Sequence, residues 1–590
     1  MSEASLEPTG VLTADPDMVE QRLVSRVLAT LLREDVVGLR SQSTQIERPD
    51  GRWLRLAGPE ALLLAVTADG FLCTDTAREP LLLCESDGRK LRTTSEIISA
   101  LAESAHPLDR PGFEEFAAEC DRARAAMQLH SATHGRFVNE LVGRYGDRIG
   151  DWTGLASSLA FDALAARHDH PVYPTSRGRS GLDETDLLTY APEFHPRFTL
   201  RWLAVPHAAV TSTGDADFPP QYWPVPTQLG LPQLADSHVM LPIHPASVGA
   251  LEGILRELGL YDECVLAEPS YLTVIPTLSM RTVAVADAPT EHLKLPLATA
   301  TLGGLNVRTI KPRTLIDGAE GQRLLAAVLD RESGFVDRIL LAEESCYAHA
   351  GHELLAVLRR RYPPGLDGAV VVPMAALLAA GPDGRLVLDH LADRFYNGAP
   401  IALFDAWITL LFRWQTTLFG YGVALESHQQ NISLVLDHHR ESTRLRLLLK
   451  DNDTPRVHTA RLRGRLGDIP VGFDDPRIAV DDDRGLTDLF TTITLHLCAG
   501  AYAFELARLG YAPQATMLGL VRDRLEQAID GLDATAAARL RADVLNAPRL
   551  PVKAMVSAGT LFSKERSGAV DINKHYTDGP NYLRTAGEHT

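Results

Sequence analysis

Residues 432–449 read ISLVLDHHRESTRLRLLL, a pattern that leaves the chain little choice. Ile432, Leu434 and Leu436 alternate with Ser433, Val435 and Asp437. Beyond the polar turn HHREST, Leu445, Leu447 and Leu449 alternate with Arg446 and Leu448. A period of two on both sides of a polar break predicts a β-hairpin. A centre near Glu441 sets Asn431 opposite Asp451. The run ESHQQN (Glu426 to Asn431) and the KDND that starts at Lys450 then emerge at the same open end. A carboxylate, an amide and an imidazole gathered there suit a magnesium–phosphate site, because Mg²⁺ takes oxygen ligands and shares them with phosphates. A solvated loop beside a surface hairpin is the blander reading.

Around the hairpin the chain mixes both kinds of element. Residues 17–34 carry Val19, Leu23, Val27 and Leu31 at helical spacing, with Asp17 as a cap. Strand patterns follow at 52–57 and 61–67, and helical ones at 95–104, 112–130 and 152–167, the last stopped by Pro171. From about 190 to 310 short apolar runs between prolines and glycines predict β-structure. Helix and strand alternate to about 380, and 398–419 is a strong helix closed by Gly420 and Gly422. After 485 the pattern is mainly helical, with a polar tail after about 565. At 590 residues the chain exceeds one core. The reading is an α+β, mixed α/β fold in three interlocking regions: a largely helical 1–185, a β-rich then mixed 186–395, and a hairpin-plus-helix 396–590.

Bulk composition excludes some functions. A formal charge of −18 argues against nucleic acid or anionic membrane as partner. No apolar run reaches the roughly 18 residues of a membrane span, IALFDAWITLLF being broken by Asp405. Six scattered cysteines without CxxC spacing read as buried thiols of a reducing compartment, and MSEASLEPTG has no signal-peptide character. A cytoplasmic location is expected. Lysine is scarce, only Lys90, Lys294, Lys311, Lys450, Lys553, Lys564 and Lys574, so each one invites a role.

Four further stretches carry polar chemistry. LSMRTVAV places Ser279, Arg281 and Thr282 at the end of an apolar run, where a guanidinium can fork onto phosphate or carboxylate; exposed strand ends also look like this. EHLKLPLATATLGGLNVRTIKP adds Lys294, Thr299, Thr301, Arg308 and Lys311, with a snorkelling edge lysine as the alternative. HDHPVYPTSRGRSG forms a stiff loop presenting His170, Tyr173, Arg177 and Arg179 to a polyanion. LPIHPASVG offers His244, better read as structural. No P-loop, GxGxxG, GxSxG or HExxH occurs. The order of Asn and Asp around the hairpin is loosely similar to the metal-binding residues of protein kinases.

In sequence order these segments resemble the NRPS-independent siderophore synthetases of the aerobactin-synthetase type. HPVYPTSRGRSG fills a signature near HPxHPxxKxRxG. YAPEF, FTLRWLAV and LPIHP follow, SMRT matches S-x-R-T, KLPL opens a K…T…R segment, and ESHQQN matches E-x-H-x-Q-N, with KD where RD is usual. The likeness runs from about 150 to 565. It implies thumb, fingers and palm regions around a central cleft. There a carboxylate, commonly citrate, is adenylated by ATP with Mg²⁺, and an amine or hydroxyl then displaces AMP. It further implies that His170, Ser279, Arg281, Thr282, Lys294, Arg308, Asn431 and Asp451 hold ATP. His428, Arg308 and Lys294 would be catalytic, and Arg177, Arg179, Thr301, His428 and Lys553 would meet substrate. Asp451, Asn431 and Glu426 would serve the metal. A homodimer is the family's usual state.

Departures from the pattern are Tyr173 for histidine, Arg177 for lysine, Lys450 for arginine, and a longer Lys294–Arg308 spacing that leaves Thr299 and Thr301 in competition. A phosphotransferase releasing ADP, and a non-catalytic scaffold of the same fold, remain the alternatives. The nucleophile, and the choice among citrate, 2-oxoglutarate and a preformed half-product, stay open.

Overall fold

The computed structural model describes residues 16–213, 219–301, 303, 306–440, 442–452, 454–467, 472–567 and 575–584. The fold is mixed α/β, and three sheets position the site. Near the N-terminus the helix Pro16–Arg33 buries Leu23, Val27 and Leu31 beside a six-stranded sheet that runs from Ser43–Arg48 to Lys90–Leu91. A nine-stranded sheet includes Phe198–Pro206, Tyr271–Pro276, Thr282–Val285, Ala288–Lys294 and Ala356–Arg361. A four-stranded sheet sets Ile339–Leu341, Ser442–Leu449, Ile432–His439 and Val370–Pro373 side by side.

The hairpin forms, with a register one residue from expectation. Ile432 pairs with Leu449 and His439 with Ser442, and Arg440 at φ 58° opens a turn too short for a centre on Glu441. Asn431 therefore faces Lys450, whose N–H donates to the Asn431 carbonyl at 3.1 Å, and not Asp451. Glu441 and Asp453 themselves lie outside the described residues. Both faces of the hairpin are covered. Leu434, Leu436 and Leu447 join a core that also takes in Leu23, Leu31, Trp407 and Trp414, while Val435 and Leu448 pack against Leu155, Val371 and Tyr362. Each fully buried leucine of this kind contributes about 1.5–3 kcal/mol. Residues 198–357 supply a second core around Trp202, Leu203 and Val357.

Two expectations change at the C-terminal end. Arg484–Arg508 is one 25-residue helical run long and apolar enough to cross a membrane, but 89% of its apolar window is buried in the fold, so it is read as a core helix. Its middle, Phe490–Gly500, is a π-helix. The expected polar tail instead returns to the body: Tyr576–Pro580 pairs with Arg549–Lys553. Asn581 Nδ2 then donates to the carbonyls of Val544 and Ala547 at 2.8 and 2.7 Å. His244 is structural, its Nδ1 accepting the Ala246 N–H at 3.2 Å between the rings of Tyr190 and Phe198.

Candidate active site

Where the second hairpin strand ends, the chain turns at Asp451 with φ 63°, a conformation few non-glycine residues adopt. The turn is held by Glu344, whose two carboxylate oxygens accept the Asp451 N–H at 3.0 and 2.9 Å. It aims the Asp451 carboxylate at the end of Ala288–Lys294, and Lys294 Nζ donates to Oδ1. Arg360, two strand residues from Leu358, the sheet partner of Lys294, forms an ion pair with Glu344 and reaches within 3.6 Å of Asp451 Oδ1. Lys294 and Arg360 side chains are only 4% and 3% exposed. Burial opposes the ionisation of Asp451, but Lys294, Arg360 and Arg281 together hold its carboxyl well below the usual range. Arg281 projects from the turn between two strands. Ser279 Oγ accepts the Thr282 N–H at 3.1 Å, Thr282 pairs with Lys294 in the sheet, and Arg281 Nη1 donates to the Thr309 carbonyl at 2.7 Å.

A second wall rises from the polar run, which is not a solvated loop. Gln429 Nε2 donates to the Leu497 carbonyl at 2.5 Å, and Cys498 Sγ donates to the Ser427 carbonyl at 3.4 Å. Both come from the π-helix, a winding that often marks functional sites. From the same helix His496 Nε2 contacts the Pro551 carbonyl at 3.1 Å and so steadies the strand that bears Lys553. Lys553 Nζ donates to Glu426 Oε1 at 2.8 Å and Thr454 Oγ1 to Oε2 at 3.2 Å. Against its burial, Lys553 takes the Glu426 carboxyl down to about 2. Asn431 Nδ2 donates to the Glu426 carbonyl at 3.3 Å.

Two histidines meet at this wall. Burial, then the charge of Lys553 and Arg308, lowers His428, although Glu426 and Asp451 pull the other way. Burial and His428 lower His170 to about 3. His428 Nδ1 accepts the Gln430 N–H at 3.3 Å. His170 Nδ1 accepts those of Val172 and Tyr173 at 3.3 and 3.0 Å. A neutral ring whose Nδ1 accepts must carry its proton on Nε2. Both residues thus present N–H donors without charge.

The structure thereby gathers His170, Arg281, Lys294, Arg308, Glu426, His428, Asn431, Asp451 and Lys553. It does not bring Arg177, Arg179 or Tyr173 to a ligand. Arg177 is paired with Asp169 at 2.9 Å and Arg179 with Glu193 at 2.5 Å. The Tyr173 hydroxyl donates to Glu119 at 2.9 Å. Guanidiniums buried this deeply need acids inside the protein, so the stiff loop turns its charges inward and offers His170 alone. Thr299 Oγ1 donates to the Ser180 carbonyl at 2.5 Å, and Thr301 lines a small cleft with Glu119, Arg122 and Ser180. Neither threonine hydroxyl bonds to the cluster among the described residues. Gly303, at φ 109°, lets this loop lie on the Ser557–Leu561 turn, since a Cβ there would stand 2.6 Å from the Gly559 carbonyl oxygen.

Several site residues carry no legible signal. Arg360 and Glu344 look like outward-facing charges on strands. Asp162, buried in the helix Gly154–Arg167 with its carboxyl raised by burial against Lys450 and Arg360, sits in a run of small apolar residues. Arg33 and Glu34 are neighbours that clasp two walls. Arg33 Nη2 donates to the Val172 carbonyl at 2.6 Å, beside His170. Glu34 accepts the N–H groups of Val556 and Ser557 at 3.1 and 2.8 Å, just past Lys553. Glu34→Ala leaves those two buried donors without their acceptor. A loss of about 1–3 kcal/mol is expected in urea unfolding, and an unchanged midpoint would remove the clasp from the account.

For a magnesium ion the donor set fits in part. Asn431 Oδ1 and Asp451 Oδ2 accept no hydrogen bond from a described residue, and Mg²⁺ needs only one or two carboxylates when phosphates complete its shell. Glu426 does not fit, because Lys553 and Thr454 take both its oxygens.

A buried cluster in which cations outnumber carboxylates, beside two neutral imidazole N–H donors, is chemically suited to an anion. Residues 158–379 match the IucA / IucC family, and 402–563 match the ferric iron reductase FhuF-like transporter family. Residues 158–379 thus carry an IucA / IucC family domain. The chain is 24% identical over 353 residues to staphyloferrin B synthase of Staphylococcus aureus, covering 55% of this chain and 58% of that protein. The matched part thus spans little more than half the length of that relative. It is 24% identical over 576 residues to the rhizobactin siderophore biosynthesis protein RhbC of Rhizobium meliloti, covering 86% and 87%. It is also 31% identical over 143 residues to the S. aureus L-2,3-diaminopropanoate–citrate ligase, covering 22% and 23%. In fold it resembles the petrobactin biosynthesis protein AsbB of Bacillus anthracis str. Sterne, with a TM-score of 0.76, 16% identity and 97% and 96% of the two chains covered. The ATP-bound aerobactin synthetase IucA of Klebsiella pneumoniae gives 0.66, 18%, 95% and 99%.

Proposed function

We propose that the chain is an ATP-dependent ligase that adenylates a carboxylic acid, citrate first among the candidates, and transfers the acyl group to an amine or hydroxyl. The observation that carries this reading is the convergence of Lys294, Arg360 and Arg281 on Asp451 beside Arg308, His428 and His170. The ATP-bound IucA and the diaminopropanoate–citrate ligase among its relatives support the choice of ATP and citrate. The acid's oxygen attacks the α-phosphorus, the bond to the bridging β-oxygen breaks, and pyrophosphate leaves. The nucleophile then attacks the acyl carbon and loses its proton as the C–O bond to AMP breaks. Charge grows on phosphate oxygens and pyrophosphate, where prepositioned cations in a low-dielectric cleft act most strongly. His428 and His170, neutral N–H donors, orient the acid and the phosphates without neutralising the acid. Lys553, fixed by Glu426, faces the same cleft from the C-terminal strand. Asp451 and Asn431 are the residues that would hold Mg²⁺, which when bound screens the triphosphate charge. Arg177, Arg179 and Thr301 are left out of the substrate set. A cytoplasmic setting belongs to the reading, in keeping with six free, buried cysteines.

The test is pyrophosphate release from ATP with hydroxylamine as acceptor, across citrate, 2-oxoglutarate, succinate and no acid. Citrate-dependent release, lost by at least about a hundredfold in His428→Ala and Arg281→Ala, is expected. ADP as the nucleotide product, or no acid-dependent pyrophosphate with any acid or citryl conjugate, overturns the reading.

A further inference from the structure

Three consecutive residues of the π-helix Phe490–Gly500 grip the two segments that meet at the Glu426–Lys553 pair. The Leu497 carbonyl and the Cys498 thiol hold the run Glu426–Asn431 through Gln429 and Ser427. His496 holds the strand Arg549–Lys553, its Nε2 lying 3.1 Å from the carbonyl of Pro551, two residues before Lys553. One element thus sets the spacing between Lys553 and Glu426.

Bonding chemistry fixes the polarity of the His496 link. A carbonyl only accepts, so Nε2 carries the proton. Burial keeps the ring neutral by lowering it to about 4, which leaves Nδ1 as an acceptor. Its donor is the Tyr582 hydroxyl, 2.9 Å away. Tyr582 is anchored on both sides. Its neighbour Asn581 is tied to the carbonyls of Val544 and Ala547, and the Phe504 ring meets its own edge-on at 5.4 Å. The hydroxyl passes over Gly500, where a Cβ would overlap both the oxygen and the ring. The helix itself does not ask for glycine there. Gly500 has φ −58° and ψ −48°, an ordinary helical backbone in which alanine is the better former. The missing side chain makes room for Tyr582.

We propose that Tyr582 is a positioning residue for Lys553, acting through the His496 ring to hold the C-terminal strand at a fixed distance from Glu426. Side chains that handle a reacting group are held to about 0.5 Å by packing and by hydrogen bonds from the residues behind them. The Lys553 ammonium sits on a flexible stem, and Glu426 can fix it only while the strand stays in place. The assignment rests on the ligase reading for what Lys553 serves, the acid's carboxylates, and on the hydrogen bonds alone for the relay.

Acetylation of the full chain by acetic anhydride, without ATP or acid, is read by peptide mass spectrometry. It compares Lys553 with the exposed Lys90 and the buried Lys294 and Lys450. Tyr582→Phe and Gly500→Ala are each expected to raise the ratio of Lys553 to Lys90 labelling about fivefold, the effect of one lost hydrogen bond. Lys294 and Lys450 should stay as in the parent. His496→Gln, whose amide can still donate to the Pro551 carbonyl, should rise less than His496→Leu. In turnover, Tyr582→Phe should raise KM for the acid about tenfold and leave KM for ATP unchanged. Unmoved Lys553 labelling in the folded variants overturns the relay. So does a rise shared equally by Lys294 and Lys450, which is general loosening, or raised labelling with unchanged turnover constants. The two readings fail separately. Selective Lys553 labelling, without acid-dependent pyrophosphate in the parent, keeps the relay and sinks the ligase. Pyrophosphate release with Lys553 labelling unmoved does the reverse.

Discussion

Asp451→Asn is expected to cut acid-dependent turnover by about 10²–10³-fold while leaving a folded protein. The substitution isolates charge from shape. Asparagine is nearly isosteric, keeps the backbone N–H that Glu344 holds, and tolerates the left-handed backbone that Asp451 adopts at φ 63°. What it removes is the counter-ion shared by Lys294, Arg360 and Arg281. Those cations then repel one another in a site where Lys294 and Arg360 are almost fully buried, at a cost of about 3–5 kcal/mol in stability. Bound triphosphate would restore the balance, so the variant should hold ATP at least as well as the parent and fail at the chemical step. The signature is a fall in kcat with KM for ATP unchanged or lower, together with a lower Tm that ATP partly restores. A kcat within threefold of the parent would show that Asp451 serves only to fold the open end of the hairpin. Lys294→Met tests the same pair from the other side, leaving a buried carboxylate in place of buried cations.

How much of this was readable beforehand depends on what kind of information each feature needs. The hairpin is local: period two around a polar break names it. Its register is not, because one residue in the turn moves every pair, and Asn431 consequently faces Lys450. Arg281, Lys294, Arg308, His428, Asp451 and Lys553, far apart in sequence, lie in one cluster in the fold. Arg177 and Arg179 went wrong for a physical reason. A sequence displays charges but not their partners, and Asp169 and Glu193 take these two inside the fold. Arg360, Glu344 and Asp162 were missed by the converse error. Charged residues within a strand or helix look solvent-facing until a sheet from elsewhere in the chain closes over them. The Arg33–Glu34 clasp and the Tyr582–His496 link depend on contacts across long stretches of sequence, which no local pattern encodes.

Acid should unfold this protein well above the carboxylate range. His168 and His496 are lowered to about 4, and His170, His195 and His244 to about 3, with burial the leading cause in every case. The sign follows from proton counting. Below about pH 6.5 the unfolded chain protonates these rings and the folded one does not, so stability falls as pH falls, down to the folded-state values. Each ring costs about 1.4 kcal/mol per pH unit, or about 2 kcal/mol between pH 6.5 and 5. Together the five reach on the order of 10 kcal/mol, comparable with the whole stability of a typical domain. Some carboxyls oppose this. Asp69, raised by burial to about 6, and Glu34, Glu119 and Asp162, raised likewise, favour the fold as pH drops. Asp169 and Asp451, held low, contribute above the unfolded value near 3.9 and lose their contribution only below it. The histidines therefore control the window from pH 6.5 to 4, and an unfolding midpoint near pH 5 is expected by circular dichroism. His244→Asn separates this from general acid damage. Asparagine can still accept the Ala246 N–H as a cap but does not titrate, so the loss of Tm between pH 7 and pH 5 should shrink by the share of one ring. A Tm level across that interval in the parent would mean that these imidazoles reach water or a proton donor on folding, and the neutral N–H donors assigned to His170 and His428 would go with them.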